Sequence, residues 1–132
     1  MDCVKSWLVT EIDKYNDIQQ ALMSEFFLSE MRLNCRGMSK QRLTNYYDTC
    51  ISLAKFSRKN GDDNLYLQCL KKLYTRMMAE LGNVENTFEC RSRCKSYALD
   101  SLNLTCQLYK GYEVMEKAQI LRRDFAKRAS IG

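Results

Sequence analysis

Apolar residues recur at steps of three and four from Val4 through Trp7, Leu8, Ile12, Tyr15, Ile18, Leu22, Phe26 and Phe27 to Met31. That spacing lines one face of an α-helix, so the first predicted helix covers about residues 3–34 and ends in the loop Asn34-Cys35-Arg36-Gly37-Met38. Ser39 is the expected N-cap of a second helix, residues 39–60, whose stripe runs Leu43, Tyr46, Tyr47, Cys50, Ile51, Ala54 and stops at Asn60-Gly61. Asp62 and Asp63 suit the positive end of a third helix, residues 63–81, carrying Tyr66, Leu70, Leu73, Tyr74, Met77 and Leu81. Gly82 is then the expected residue just beyond that helix, and Asn83 the cap of the next. From residue 84 to about 128 the pattern continues without a breaker other than Gly111, which predicts one long helix bent there, or two nearly continuous ones.

The expected fold is therefore all-α, with about four antiparallel helices in an irregular bundle or a short helical array. All 132 residues form one domain, with a flexible tail at about 129–132. The helix lengths do not match. At roughly 1.5 Å per residue, the last helix overhangs partners of about twenty residues unless it folds back near Gly111.

The chain has no proline and no histidine. The first absence removes the strongest helix breaker. The second removes the usual general base, the usual partner of a nucleophilic serine or cysteine, and the commonest metal ligand. No glycine-rich phosphate loop exists among five scattered glycines. Glu85 with Glu89, or Glu113 with Glu116, share a helical face as many solvated pairs do, so no catalytic residue and no cofactor is expected. The seven cysteines are odd in number and several fall on apolar helix faces, which reads as reduced thiols packing as small hydrophobes. Zinc would need four thiolates; Cys90 and Cys94 supply half a site and no second close pair exists, so no metal is expected. No stretch approaches the roughly 18 apolar residues of a membrane span, and nothing resembles a signal peptide's apolar core. The expectation is an intracellular protein, cytoplasmic or nuclear, without a membrane partner.

The stretch from Leu43 to Leu81 carries Leu53-Ala54 as a small pair, Asn60-Gly61-Asp62 as a turn, and Leu70 and Leu73 as later packing positions. In these features it resembles a tetratricopeptide-type helical hairpin. The resemblance implies an extended helical array that holds peptides in a concave face, and no catalysis.

Adjacent or closely spaced tyrosines do not all point into a core, so Tyr46, Tyr47, Tyr109 and Tyr112, together with Met115, are the expected partner-binding residues. Basic residues gather in two places: Lys71, Lys72 and Arg76 in the third helix, and Lys117, Arg122, Arg123, Lys127 and Arg128 near the C-terminus. Residues 1–33 hold six acids against three bases, which gives these bases an acidic helix to neutralise within the fold. The leading functional expectation is a non-enzymatic helical interaction module, an adaptor or subunit of a larger assembly, bound to another protein or to itself as a homodimer. The alternative is a nucleic-acid or acidic-surface binder using the basic C-terminal helix.

Overall fold

The computed structural model describes residues 2–131, with the side chains of 3–130, as five α-helices: α1 (Asp2–Arg36), α2 (Lys40–Lys59), α3 (Asp63–Leu81), α4 (Phe88–Gly111) and α5 (Met115–Ile131). Among the described residues there is no strand, so the all-α class holds. The count is five because the stretch expected to run from 84 to 128 is interrupted twice.

The first interruption precedes α4. Asn83 Oδ1 accepts the Glu85 amide at 3.1 Å, and Asn86 Nδ2 donates to the Glu80 carbonyl and carboxylate at 2.9 and 2.8 Å. These side-chain bonds hold a turn in place of helix, and Thr87, not Asn83, caps α4 by accepting the Cys90 amide. Gly82 keeps a right-handed φ of −78°, so it does not reverse the chain as expected. The second interruption follows Gly111. The Val114 amide donates to Tyr109 O at 3.0 Å and the Glu113 amide to Lys110 O at 3.1 Å, with Glu113 itself at φ 58°. This is the Schellman pattern of helix termination, and it folds α5 back along α4. The tail expected from residue 129 is instead helical through Ile131, and Gly132 lies outside the described residues.

The other caps follow the sequence. Ser39 Oγ accepts the Arg42 amide and Asp62 Oδ1 the Leu65 amide. Each helix packs on its successor, and α5 also touches α3. Leu43, Leu70, Leu73 and Met77 are fully enclosed at the centre of the main core, to which α1 contributes Phe26 and Leu33. A second, smaller cluster of Leu102, Cys106, Tyr109 and Ala118 joins α4 to α5. Across these layers the Tyr74 hydroxyl donates to Asp124 Oδ2 at 2.6 Å, tying α3 to α5.

The contacts between α1 and α2 run antiparallel: Ser29 with Thr49 at 2.8 Å, Phe26 on Tyr46, and Tyr15 stacked on Phe56 at 5.2 Å. With 35 residues against 20, α1 outruns α2. Every side chain from Cys3 to Lys14 is exposed. At 1.5 Å per residue, roughly 20 Å of helix projects beyond the bundle. The overhang is therefore at the N-terminal end. The C-terminal segment gains cover by turning at Glu113, whereas α2 turns away at Gly61 and leaves the start of α1 with nothing to pack on.

Candidate protein-interaction surface

The face of α1 that meets α2 is set by Tyr15, Gln19, Leu22, Phe26, Ser29 and Leu33, alternating steps of four and three. Continued toward the N-terminus at the same steps, this seam reaches Ile12 and Leu8, with Val4 one turn further. No described residue covers them. Ile12 is 57% exposed, Val4 64%, and Trp7 beside them 60%. A contiguous run of large apolar side chains on a helix normally faces a core or a partner. Trp7, Leu8 and Ile12 were available to cover the C-terminal helix from within, and they do not. The signal for an uncovered seam was present in the sequence as the mismatch between a first helix of about thirty residues and its neighbours of about twenty.

The five residues expected to bind a partner separate into two groups. Tyr46 is 0% exposed, with its ring 5.3 Å from Phe26 and its buried hydroxyl lacking a hydrogen-bond partner; burial raises its pKa. Tyr109 is likewise buried, in the α4–α5 cluster beneath Lys117. Tyr47 is half-buried, stacked on Tyr97 with centroids 4.0 Å apart, and its hydroxyl donates to Asp100 Oδ2 at 3.0 Å. Burial and that bond push its pKa up to about 12. The expectation of surface tyrosines fails here because α2 has neighbours on two sides: adjacent residues about 100° apart on the helix reach α1 and α3 in one case and α4 in the other. Tyr112 and Met115 are exposed at the α4–α5 turn. The Tyr112 hydroxyl donates to Asp63, whose pKa is lowered by that bond and further by Arg58 at 2.9 Å. That bond places the α4–α5 turn beside the start of α3, at the end of the bundle from which α1 projects.

The basic residues do not form one patch. Lys72 pairs with Glu30 at 3.0 Å and lies over Phe26, while Arg76 pairs with Glu80 at 3.3 Å and donates to Asn34 at 2.5 Å. Both are thus tied to α1 or to their own helix. Lys71, Lys117 and Arg128 come together with Asp124 around a cavity of about 490 Å³ floored by Tyr109 and Leu121. Arg122, Arg123 and Lys127 are exposed on α5 and do not line that cavity.

Cys50, Cys69, Cys94 and Cys106 are buried free thiols. Cys50 donates to the Cys69 carbonyl at 3.3 Å; the hydrogen bond between the two thiols and burial raise the pKa of Cys50, and the same thiol–thiol bond lowers that of Cys69, while burial pushes Cys94 up to about 12. The buried thiols whose pKa is raised, Cys50, Cys94 and Cys106, are unreactive as nucleophiles near neutral pH. Among the described residues no group of three or more cysteine, aspartate or glutamate side chains is arranged to hold a metal ion, and no helix is long and apolar enough to cross a membrane. No protein-family model, curated protein or solved structure matches the chain.

Proposed function

We propose that this protein is a non-enzymatic helical interaction module whose recognition surface is the projecting N-terminal third of α1. The observation that carries the reading is the uncovered seam of Val4, Leu8 and Ile12, flanked by Trp7, in direct register with the seam that packs on α2. An exposed apolar stripe at successive four-residue steps lines one face of a helix and is complementary to a groove or to another helix, the helix-in-groove mode of recognition. Tyr112 and Met115 are exposed at the same end of the bundle, where Tyr112 bonds Asp63 at the start of α3. The successive pairing of α1 to α5 fits a short helical array of the tetratricopeptide kind as the scaffold. The dispersion of the basic residues over several sides, two of them neutralised by acids, favours this reading over nucleic-acid binding.

A photo-crosslinking amino acid placed at position 8, compared with one at the exposed position 123, tests the proposal in the protein's own cell extract. Discrete protein adducts formed through position 8, absent with the position-123 control and lost when Ile12→Glu is added, are the expected result. Equal adducts from both positions, or none from position 8, would overturn it.

A further inference from the structure

We infer that the cavity between α3, α4 and α5 is a binding site for a small anionic amphiphile, a compact apolar body carrying one acidic group. The cavity, of about 490 Å³, lies within the roughly 300–1,000 Å³ of small-molecule sites. It is separate from the seam on α1. Lys117, Ile120, Leu121, Asp124 and Arg128, spaced by threes and fours, line it from a single face of α5. Tyr109 faces it from α4, and Lys71 and Tyr74 from α3. Its apolar wall is Tyr109, Leu121 and Ile120. Ile120 is 64% exposed, so this wall presents hydrocarbon that the protein itself leaves uncovered. Burying such surface against an apolar body favours binding.

The charged groups around the cavity divide into a matched set and an open one. Asp124 Oδ2 accepts from the Tyr74 hydroxyl at 2.6 Å and from Arg128 at 3.3 Å, so the single acid is already paired with one base. Lys71 and Lys117 have no acidic partner among the described residues, and Lys117 lies over the Tyr109 ring at 6.0 Å. Two hydrogen bonds set the levels of these side chains: Tyr112 to Asp63, and Tyr74 to Asp124. By both bonds α5 runs parallel to α3, with Leu121 level with Lys71. At 1.5 Å per residue Lys117 is then about 6 Å along the axis from Lys71, whereas Arg128 lies about 10 Å the other way, beside Asp124. The two free ammonium groups thus flank one end of the cavity, next to its apolar wall. A neutral ligand would cover them without a counter-charge, which is unfavourable. An acidic group placed between them meets both.

Titration of the full chain with anilinonaphthalene sulfonate, an aromatic body with one acidic group, tests the inference, the place of binding being read from backbone amide NMR shifts. Saturable binding with shifts gathered at residues 71–75, 105–109 and 117–124 is the expected result. Lys71→Glu and Lys117→Glu should each weaken that binding about tenfold. Arg123→Glu, outside the cavity, should leave it unchanged, and the neutral analogue phenylnaphthylamine should bind the parent and both lysine variants alike. Both lysines are exposed, so the variants are expected to fold, which circular dichroism checks. Displacement by decanoate, compared with displacement by naphthoate, tells an acyl body from an aryl one, and either supports the inference. Shifts confined to residues 4–12, binding that is indifferent to both lysine reversals, or no saturable binding would overturn it.

Discussion

Glu113 closes α4 with the same two hydrogen bonds that Gly61 uses to close α2, and both residues lie in the left-handed region, at φ 58° and 80°. At Gly61 the bonds are Gly61 N–H to Arg58 O and Asp62 N–H to Ser57 O; at Glu113 they are Glu113 N–H to Lys110 O and Val114 N–H to Tyr109 O. The conformation is free for glycine and costs about 1 kcal/mol for a residue with a Cβ.

Glu113→Gly is therefore expected to stabilise the chain by about 1 kcal/mol, and Gly61→Ala to destabilise it by a similar amount. Urea unfolding midpoints of the two variants should move in opposite directions. A loss of stability in Glu113→Gly would show that the Glu113 side chain contributes more than its backbone strain removes.

Tyr46 and Tyr47 are adjacent and should respond oppositely to the same substitution. The Tyr46 hydroxyl is buried without a partner, a state that costs about 1–3 kcal/mol, so Tyr46→Phe is expected to raise stability. Tyr47→Phe deletes the bond to Asp100 and should lower it by about 1 kcal/mol. Equal effects at the two positions would contradict the placement of α2 between its neighbours.

The raised pKa of Tyr47 gives the fold an alkaline limit. The folded value, about 12, exceeds the ordinary value of 10.0, so the unfolded chain loses this proton first as pH rises. The contribution is whole below pH 10 and is lost as pH climbs through about 12. Buried Cys94, also pushed up to about 12, adds in the same sense. The difference in unfolding free energy between the parent and Tyr47→Phe should shrink from pH 9 to pH 11. A difference that stays constant would remove Tyr47 as a cause.

The helices and most of their ends were legible in the sequence, because Ser39, Asp62 and Gly61 act through local hydrogen bonds that their own residue types dictate. The turn after Gly111 was half legible. Gly111 marks the region, but the residue that reverses the chain is Glu113, a glutamate whose left-handed φ is imposed by the docking of α5 on α4. The interaction surface was least legible. The apolar repeat through Leu8 and Ile12 is the same inside a core and outside one, and only the point where α2 turns away at Gly61 separates the covered half of α1 from the uncovered half. Tyr46 and Tyr109 were misplaced for the converse reason, since which side of a helix is enclosed depends on neighbours distant in sequence.

The seam also separates binding from stability. Leu8→Glu combined with Ile12→Glu removes no contact within a single copy, so the thermal midpoint measured on dilute protein should stay within about 2 °C of the parent. Phe125→Ala, which uncovers both core clusters, should lower it by several degrees. A comparable fall in the first variant would place its face inside the fold.

Trp7 is the chain's single tryptophan and sits within the projecting helix, so its fluorescence in dilute solution tests the central claim most directly. An uncovered α1 predicts solvent-like, long-wavelength emission that acrylamide quenches freely, shifting to shorter wavelength only as protein concentration or an added partner increases. Blue-shifted, quencher-resistant emission at every concentration would mean that the N-terminal third of α1 is covered within its own chain, and would contradict the account.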